Sequence, residues 1–151
     1  MPDRRYIEMR KKKDIATVLL GVTVAVILWG TVLSRETLIG TPISYRPFHA
    51  LISFLMGLQR GRINANFLGN IILFIPIGVL GPKVTSWKKM WKTVAAGIGF
   101  SLCIELIQLV TARGCFDLDD VFLNGLGTVI GFGIQRVTEK LLTNHHFHNY
   151  E

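Results

Sequence analysis

The chain has 151 residues, 50% of which are apolar, and a formal net charge of +7 at pH 7. This length gives room for one domain, and a mean hydropathy of +0.41 with charges confined to short tracts is not typical of a soluble domain. The basic residues flank apolar runs and form no basic face with interleaved aromatic residues, which excludes a nucleic-acid-binding domain and indicates a membrane protein.

The first predicted element is a basic leader, residues 1–14, followed by an uncharged run over 15–34. A helix needs about 20 apolar residues to cross a hydrocarbon core of about 30 Å, so 15–34 is the first predicted membrane span. The run is longer than the apolar region of a signal peptide, and no small-residue cleavage motif follows it. We therefore expect it to stay uncleaved.

The next uncharged segment, 47–59, is too short to span a membrane, because as a helix it would cover only about 20 Å. We expect this segment to form a short helix that lies in the membrane interface or re-enters the membrane on the outer side.

Three further apolar segments complete the predicted membrane domain. Residues 63–82 are uncharged but contain Pro76, which should kink the helix; 93–112 carry a single charge; and 121–135 are shorter, uncharged and rich in glycine. The predicted fold is an all-α membrane protein, a compact bundle of four transmembrane helices plus the short interfacial or re-entrant helix. A polar tail, 136–151, follows.

Basic residues decide the predicted orientation, because cytoplasmic segments are enriched in lysine and arginine. With four spans and a cytoplasmic N-terminus, the larger basic set is cytoplasmic: Arg4, Arg5, Arg10, Lys11, Lys12, Lys13, Lys83, Lys88, Lys89, Lys92, Arg136 and Lys140. The smaller set is outside: Arg35, Arg46, Arg60, Arg62 and Arg113. A fifth span over 47–59 would move the tract from Lys83 to Lys92 outside. We therefore predict four spans with both termini cytoplasmic.

Polar side chains are predicted to converge at one depth near the outer surface. Glu105 lies about 18 Å along the outward-running third span, and Gln108 follows one turn later on the same face. Asn124 lies near the start of the fourth span, and Asn70 near the outer end of the second. Together with the loop that carries Asp119, these positions predict a polar pocket formed by Asn70, Glu105, Gln108, Arg113, Asp117, Asp120 and Asn124.

Small residues predict how the spans pack. Gly127 and Gly131 form a small-xxx-small pattern that favours close helix contact, and we expect it to face the helix surface that carries Glu105. In the second span, Asn70, Phe74 and Gly78 form a line at helical spacing. The predicted packing residues are Phe74, Pro76, Gly78, Gly127 and Gly131.

Each polar residue also has a purely structural interpretation. An unpaired charge inside a membrane costs about 2.5 kcal/mol or more, so Glu105 is a candidate functional residue, yet it could be a protonated packing group. Asp117 and Asp120 fit ordinary helix N-terminal caps. Arg113 fits a counter-ion for the nearby carboxylates. The two asparagines, Asn70 and Asn124, could be hydrogen-bonding groups between helices.

These motifs resemble the VanZ-like family of small bacterial membrane proteins. The strongest part is an E-x-x-Q, R and F-D-x-D-D pattern followed by an asparagine and two glycines: Glu105, Gln108, Arg113, Phe116, Asp117, Asp119, Asp120, Asn124, Gly127 and Gly131. The second is "GNIILFIPIGVLGP", and a weaker third is "SYRPFHAL", in which Ser44 stands where the family often has asparagine. The resemblance covers most of the chain after the first span and implies a VanZ-like transmembrane domain over 15–135.

The resemblance implies a protein of the bacterial cytoplasmic membrane that lowers susceptibility to teicoplanin-type lipoglycopeptides. Two alternatives stand beside it: a membrane enzyme acting on a lipid-linked cell-envelope substrate, with Glu105 or Asp120 as general acid or base and Arg113 on a phosphate, and a structural helix bundle. The expected partners are membrane lipids and a lipid-linked or acylated small molecule, and no nucleic acid. The histidines of the tail (His145, His146 and His148) fit a solvated segment, and we expect no metal and no cofactor.

Overall fold

A computed structural model describes residues 4–34, 43–44, 48–59, 65–87, 89–114 and 116–148. Its elements, in chain order, are α1 (Arg4–Leu28) with a π-helical turn (Trp29–Leu33), β1 (Ile43–Ser44), α2 (His49–Gln59), α3 (Ala65–Thr85), α4 (Met90–Val110), β2 (Phe116–Asp117) and α5 (Leu118–His148). Several residues used in the sequence predictions lie outside the described residues: Arg35, Arg46, Pro47, Arg60, Arg62 and Lys88. The side chains of the tail histidines are also outside the description.

Within the described part of the chain, three helices are long and apolar enough to cross a membrane: Tyr6–Leu33, Ala65–Thr85 and Met90–Val110. By their length and composition they support a helical membrane protein, and they overlap the spans predicted over 15–34, 63–82 and 93–112. The predicted fourth span is not among them. It lies within α5, where Asp119, Asp120 and Asn124 occupy the first two turns and lower the mean hydropathy.

Two helices extend beyond the predicted spans. Helix α1 begins at Arg4, inside the predicted leader 1–14, and α5 continues to His148, through most of the predicted tail 136–151. Arginine, lysine, methionine and glutamate all favour helix, so these polar segments continue the adjoining apolar helices. Helix α3 in turn continues through Pro76 and Pro82.

The short helix α2 matches the segment predicted over 47–59. Its 11 residues cover about 16 Å, about half of a hydrocarbon core. The ring of Phe54 stacks on Phe67 of α3, with the ring centroids 4.2 Å apart and an interplanar angle of 14°. This contact joins α2 to the start of α3.

Helices α3 and α5 pack with their backbones in direct contact. A side chain at Gly127 would overlap the carbonyl of Ile71, one at Gly131 would overlap the carbonyl of Ile75, and one at Gly78 would overlap the backbone of α5. These three glycines therefore lie where α3 and α5 approach most closely. The predicted partner is wrong: they face α3 and not the Glu105 surface of α4.

The helical repeat of α5 explains why its glycines contact α3 and not α4. Three residues advance a helix by about 300°, so Asn124 and Gly127 do not share one line along the axis. Asn124 contacts α4 through Ser101, whereas Gly127 contacts α3. Two adjacent lines of residues on α5 therefore contact two different neighbouring helices.

The contacts also give the directions of the helices. Gly127 lies opposite Ile71 and Gly131 opposite Ile75, so α3 and α5 run parallel. Asn124 lies opposite Ser101, whereas Thr128, further along α5, lies opposite Gly97, so α4 is antiparallel to α5. The start of α1, the end of α3, the start of α4 and the end of α5 therefore share one end of the bundle.

The apolar core lies between α1, α3 and α4. Phe74 is 1% exposed and packs with Ile27, Ile77 and Ile104. Its ring centroid lies 5.9 Å from that of Phe100. This core fixes the positions from which the polar side chains extend.

Candidate functional site

Most of the predicted pocket residues lie at the end of the bundle where α1 and α4 finish and α3 and α5 begin. Glu105 is 3% exposed, Gln108 is 2% exposed and Asn124 is 6% exposed. Asn70 and Asp120 are half-buried. Buried polar groups in an apolar bundle need hydrogen-bond partners, so the partners define what each residue does.

Asn70 and Asp120 form one pair. The Asn70 side-chain amide donates to Asp120 Oδ1 and so links the second turn of α3 to the first turn of α5. A hydrogen bond to a charged group contributes about 1.5–3 kcal/mol, more than one between neutral groups. This pair therefore joins the two predicted pocket residues directly.

Glu105 holds the start of α5. Its Oε2 accepts the backbone N–H of Asp117 at 2.9 Å, across the turn that joins α4 to α5. The same residues of β2, Phe116 and Asp117, pair in parallel with Ile43 and Ser44 of β1. The buried carboxylate thus receives a backbone donor beside a short strand pair that the sequence did not predict.

Asp117 caps its own helix. It directly precedes α5, and its Oδ1 accepts the backbone N–H of Asp119 at 2.9 Å. This is the N-cap geometry in which a side-chain oxygen binds a free amide of the first turn. For Asp117 the structure therefore favours the capping interpretation.

Asp119 was missed as a long-range contact. Its two carboxylate oxygens accept the backbone N–H groups of Phe48 and Ala50, each at 2.8 Å. These amides belong to the first turn of α2, and Phe48 has a φ of 60°. Asp119 is therefore the cap of a helix about 70 positions away in sequence, and no local sequence signal could identify it.

We expect Asp119→Ala to release the N-terminus of α2. The change would leave the Phe48 and Ala50 amides without their charged acceptor, which costs about 1–3 kcal/mol for a partly buried group. Amide hydrogen exchange should become faster over His49–Gln59 and stay unchanged over the middle of α4. Asp14→Ala, on an exposed surface of α1, is the matched control. Unchanged exchange in α2 would contradict the capping role.

Gln108 joins α4 to the π-helical turn. Its Nε2 donates to the carbonyl oxygen of Thr31 at 2.7 Å, while the Thr31 hydroxyl donates to Ile27 within α1. Thr31 was not predicted, because a π-helical turn has no distinctive sequence pattern. This bond fixes α1 beside the polar residues of α4.

Asn124 binds across to α4. Its Nδ2 donates to the Ser101 hydroxyl at 2.8 Å, and the Thr128 hydroxyl donates to the Asn124 carbonyl at 3.0 Å. Ser101 and Thr128 were not among the predicted site residues. A signal was present for Ser101, because Gly97, Ser101 and Glu105 recur every four residues and so share one face of α4.

Arg113 does not act as the predicted counter-ion. Among the described residues no ion pair involves Arg113, and the ion pair found there, Arg136 with Glu139 at 3.5 Å, is exposed in the second half of α5. The Arg113 backbone N–H donates to the Gln108 carbonyl at 3.0 Å, which ends α4 in a turn. The carboxylates of Glu105, Asp117 and Asp119 accept backbone N–H groups instead.

The site has the chemistry of a hydrogen-bonding surface. Within the described part of the chain, no group of three or more His, Cys, Asp or Glu side chains could hold a metal ion. What the site offers is carboxylate and amide groups from α3, α4 and α5, at the edge of an apolar bundle, with α2 attached through Asp119.

No curated protein and no solved structure matches the chain. The sequence profile of the VanZ/LLP1 family matches residues 14–139, which include all five helices apart from their outer ends. The matched region also contains every residue of the candidate site. By this match over most of its length, the chain belongs to the VanZ/LLP1 family.

Proposed function

We propose that the protein is a cell-envelope accessory that lowers susceptibility to teicoplanin-type lipoglycopeptides by binding an acylated ligand at the outer leaflet. The observation that carries this proposal is the convergence of Asn70, Glu105 and Asp120 at one end of an apolar bundle. Membership of the VanZ/LLP1 family supports a role in the membrane.

The second element of the proposal is the orientation in the bacterial cytoplasmic membrane. In this arrangement α5 is the fourth span and both termini are cytoplasmic. The polar site, which consists of Asn70, Glu105, Gln108, Asp120 and Asn124, faces outward. Support comes from the basic residues Lys83, Lys89, Lys92 and Arg136, which lie towards the end opposite the polar site. Basic residues at one end of a helix bundle favour the cytoplasmic side of the membrane.

The ligand class follows from the two surfaces that meet at this end. The polar site supplies carboxylate oxygens for amide and hydroxyl donors, and α2 beside it exposes an apolar surface made of Leu51, Ile52, Leu55, Met56 and Leu58. A molecule with a polar head and an acyl chain fits both surfaces. Teicoplanin carries a fatty acyl chain, whereas vancomycin does not.

The orientation is testable with Cys115, which lies outside the described residues. A membrane-impermeant thiol reagent should label intact cells that express the protein, and Cys115→Ser should abolish this labelling. Cys103, on α4 within the membrane, should stay unlabelled. Labelling of Cys115 only after permeabilisation would reverse the topology and move the site to the cytoplasmic side.

The function is testable by expression in a susceptible Gram-positive host. The wild-type protein should raise the inhibitory concentration of teicoplanin more than that of vancomycin. Glu105→Gln should remove the effect while membrane insertion stays normal, because it takes the charge from the buried acceptor of the site. Glu139→Gln makes the same chemical change at an exposed position of α5 and serves as the matched control.

Three results would count against the proposal. Equal protection against both drugs, or none, would remove the support for an acylated ligand. Equal behaviour of Glu105→Gln and Glu139→Gln would remove the polar site from the function. Loss of insertion in Glu105→Gln would favour a structural bundle, a second candidate supported by the capping contacts of Asp117 and Asp119.

A further inference from the structure

A row of polar and small residues runs along the buried face of α4. Thr93, Gly97, Ser101 and Glu105 recur every four residues, so they lie one above another along the helix. Thr93 is 2% exposed and Ser101 is 0% exposed. The row therefore extends from the start of α4 to the polar site, entirely inside the bundle.

Gly97 contributes no side chain to this row, and the side chain of Thr128 from α5 occupies the space beside it. A side chain at Gly97 would lie 2.5 Å from Thr128 Oγ1, and Thr128 is itself 0% exposed. The hydroxyl of Thr128 thus stands where α4 has no side chain. Three hydroxyl groups, on Thr93, Thr128 and Ser101, follow one another towards the Glu105 carboxylate.

Three buried oxygen atoms of α4 and α5 have no hydrogen-bond partner among the described residues. They are Thr93 Oγ1 on α4, and Asn124 Oδ1 and Gln135 Oε1 on α5. Gln135 follows Thr128 by seven residues, on the same face of α5. An unsatisfied buried polar group costs about 1–3 kcal/mol, and buried water molecules are its usual partners in proteins.

The helical rise of α4 sets the axial separation of successive groups in this row. Four residues of a helix rise about 6 Å, and two successive hydrogen bonds between oxygen atoms of about 2.8 Å each span about 5.6 Å. A direct hydrogen bond of about 2.8 Å is too short to join two groups that lie four residues, about 6 Å, apart along the helix. A single bridging water fits this separation.

We propose that the interface of α4 and α5 binds a file of water molecules that connects Glu105 to the opposite end of the bundle. In this file Thr93, Thr128 and Ser101 supply hydroxyl groups, and Asn124 and Gln135 supply the additional acceptors. The inference is independent of any ligand at the polar site. It makes the buried carboxylate accessible to water from the end of the bundle to which it is not adjacent.

Solid-state NMR of the full chain in lipid bilayers, with magnetisation transferred from water, tests this proposal. The side-chain signals of Ser101 and Thr128 should gain intensity from water quickly. Leu106, which lies on the outward surface of α4, should gain it slowly. Transfer to Ser101 and Thr128 as slow as that to Leu106 would mean a dry interface and would overturn the proposal.

Variants of Thr128 sharpen the test. Thr128→Val keeps the shape but removes the hydroxyl, so transfer to Ser101 should fall towards the rate at Leu106. Thr128→Ser keeps the hydroxyl and should preserve transfer. Thr138→Val removes an exposed hydroxyl of α5 and should have no effect. Unchanged transfer in a folded Thr128→Val would contradict the file; if that variant does not fold, the wild-type and Thr128→Ser spectra decide.

Discussion

Replacing Gly131 by alanine should destabilise the helix bundle by about 1–3 kcal/mol, the usual cost of an extra methyl group in a closely packed interior. The new methyl group would overlap the Ile75 carbonyl oxygen and would lie 3.0 Å from Gly78 Cα. Both atoms belong to the backbone of α3. A rotamer change cannot relieve this overlap, so the two helices would have to separate.

Gly133 provides the matched control for this prediction. It lies two residues further along α5, and a Cβ built there would meet no atom within 4 Å. Gly133→Ala should therefore be neutral or slightly stabilising, because alanine favours helix over glycine by up to about 1 kcal/mol. Denaturant unfolding of the two variants in detergent micelles, followed by helical circular dichroism, measures the difference. Equal stability would mean that α3 and α5 do not pack through Gly131.

Local pattern was sufficient for the main elements of the fold. Uncharged runs of sufficient length identified the helices now seen as α1, α3 and α4, and the short run over 47–59 identified α2. The glycine pattern of α5 identified a packing surface but not its partner. The reason is physical: Gly127 and Gly131 permit close approach by any helix, and the choice of α3 depends on contacts distant in sequence.

The candidate site was predictable in position but not in its bonds. Helix depth alone brought Asn70, Glu105 and Asn124 to one end of the bundle. Charge alone then paired the carboxylates with Arg113, and this was wrong. Every helix leaves backbone amide groups free in its first turn, and the carboxylates of Asp117 and Asp119 accept these groups in α5 and α2.

The bond between Asn70 and Asp120 should appear as a coupling energy. We expect Asn70→Ala and Asp120→Ala to be non-additive by about 0.6–2 kcal/mol in unfolding free energy, the range found for hydrogen bonds between membrane helices. Each single change removes the same bond between α3 and α5, so the second change should cost little more. A double-mutant cycle on the unfolding free energy in micelles measures the coupling.

The same cycle with Arg113→Ala and Glu105→Gln separates the two accounts of the site. A charge cluster containing Arg113 requires these changes to be non-additive, whereas a carboxylate held by the Asp117 backbone N–H requires them to be additive. We expect additivity within about 0.5 kcal/mol for this pair, together with clear coupling between Asn70 and Asp120.

A structural bundle and a binding site would both contain these capping contacts. Both double-mutant cycles should therefore also be measured with teicoplanin protection as the readout. Coupling in stability alone would restrict Asn70 and Asp120 to holding α3 against α5, and coupling in protection at unchanged stability would assign them to the ligand.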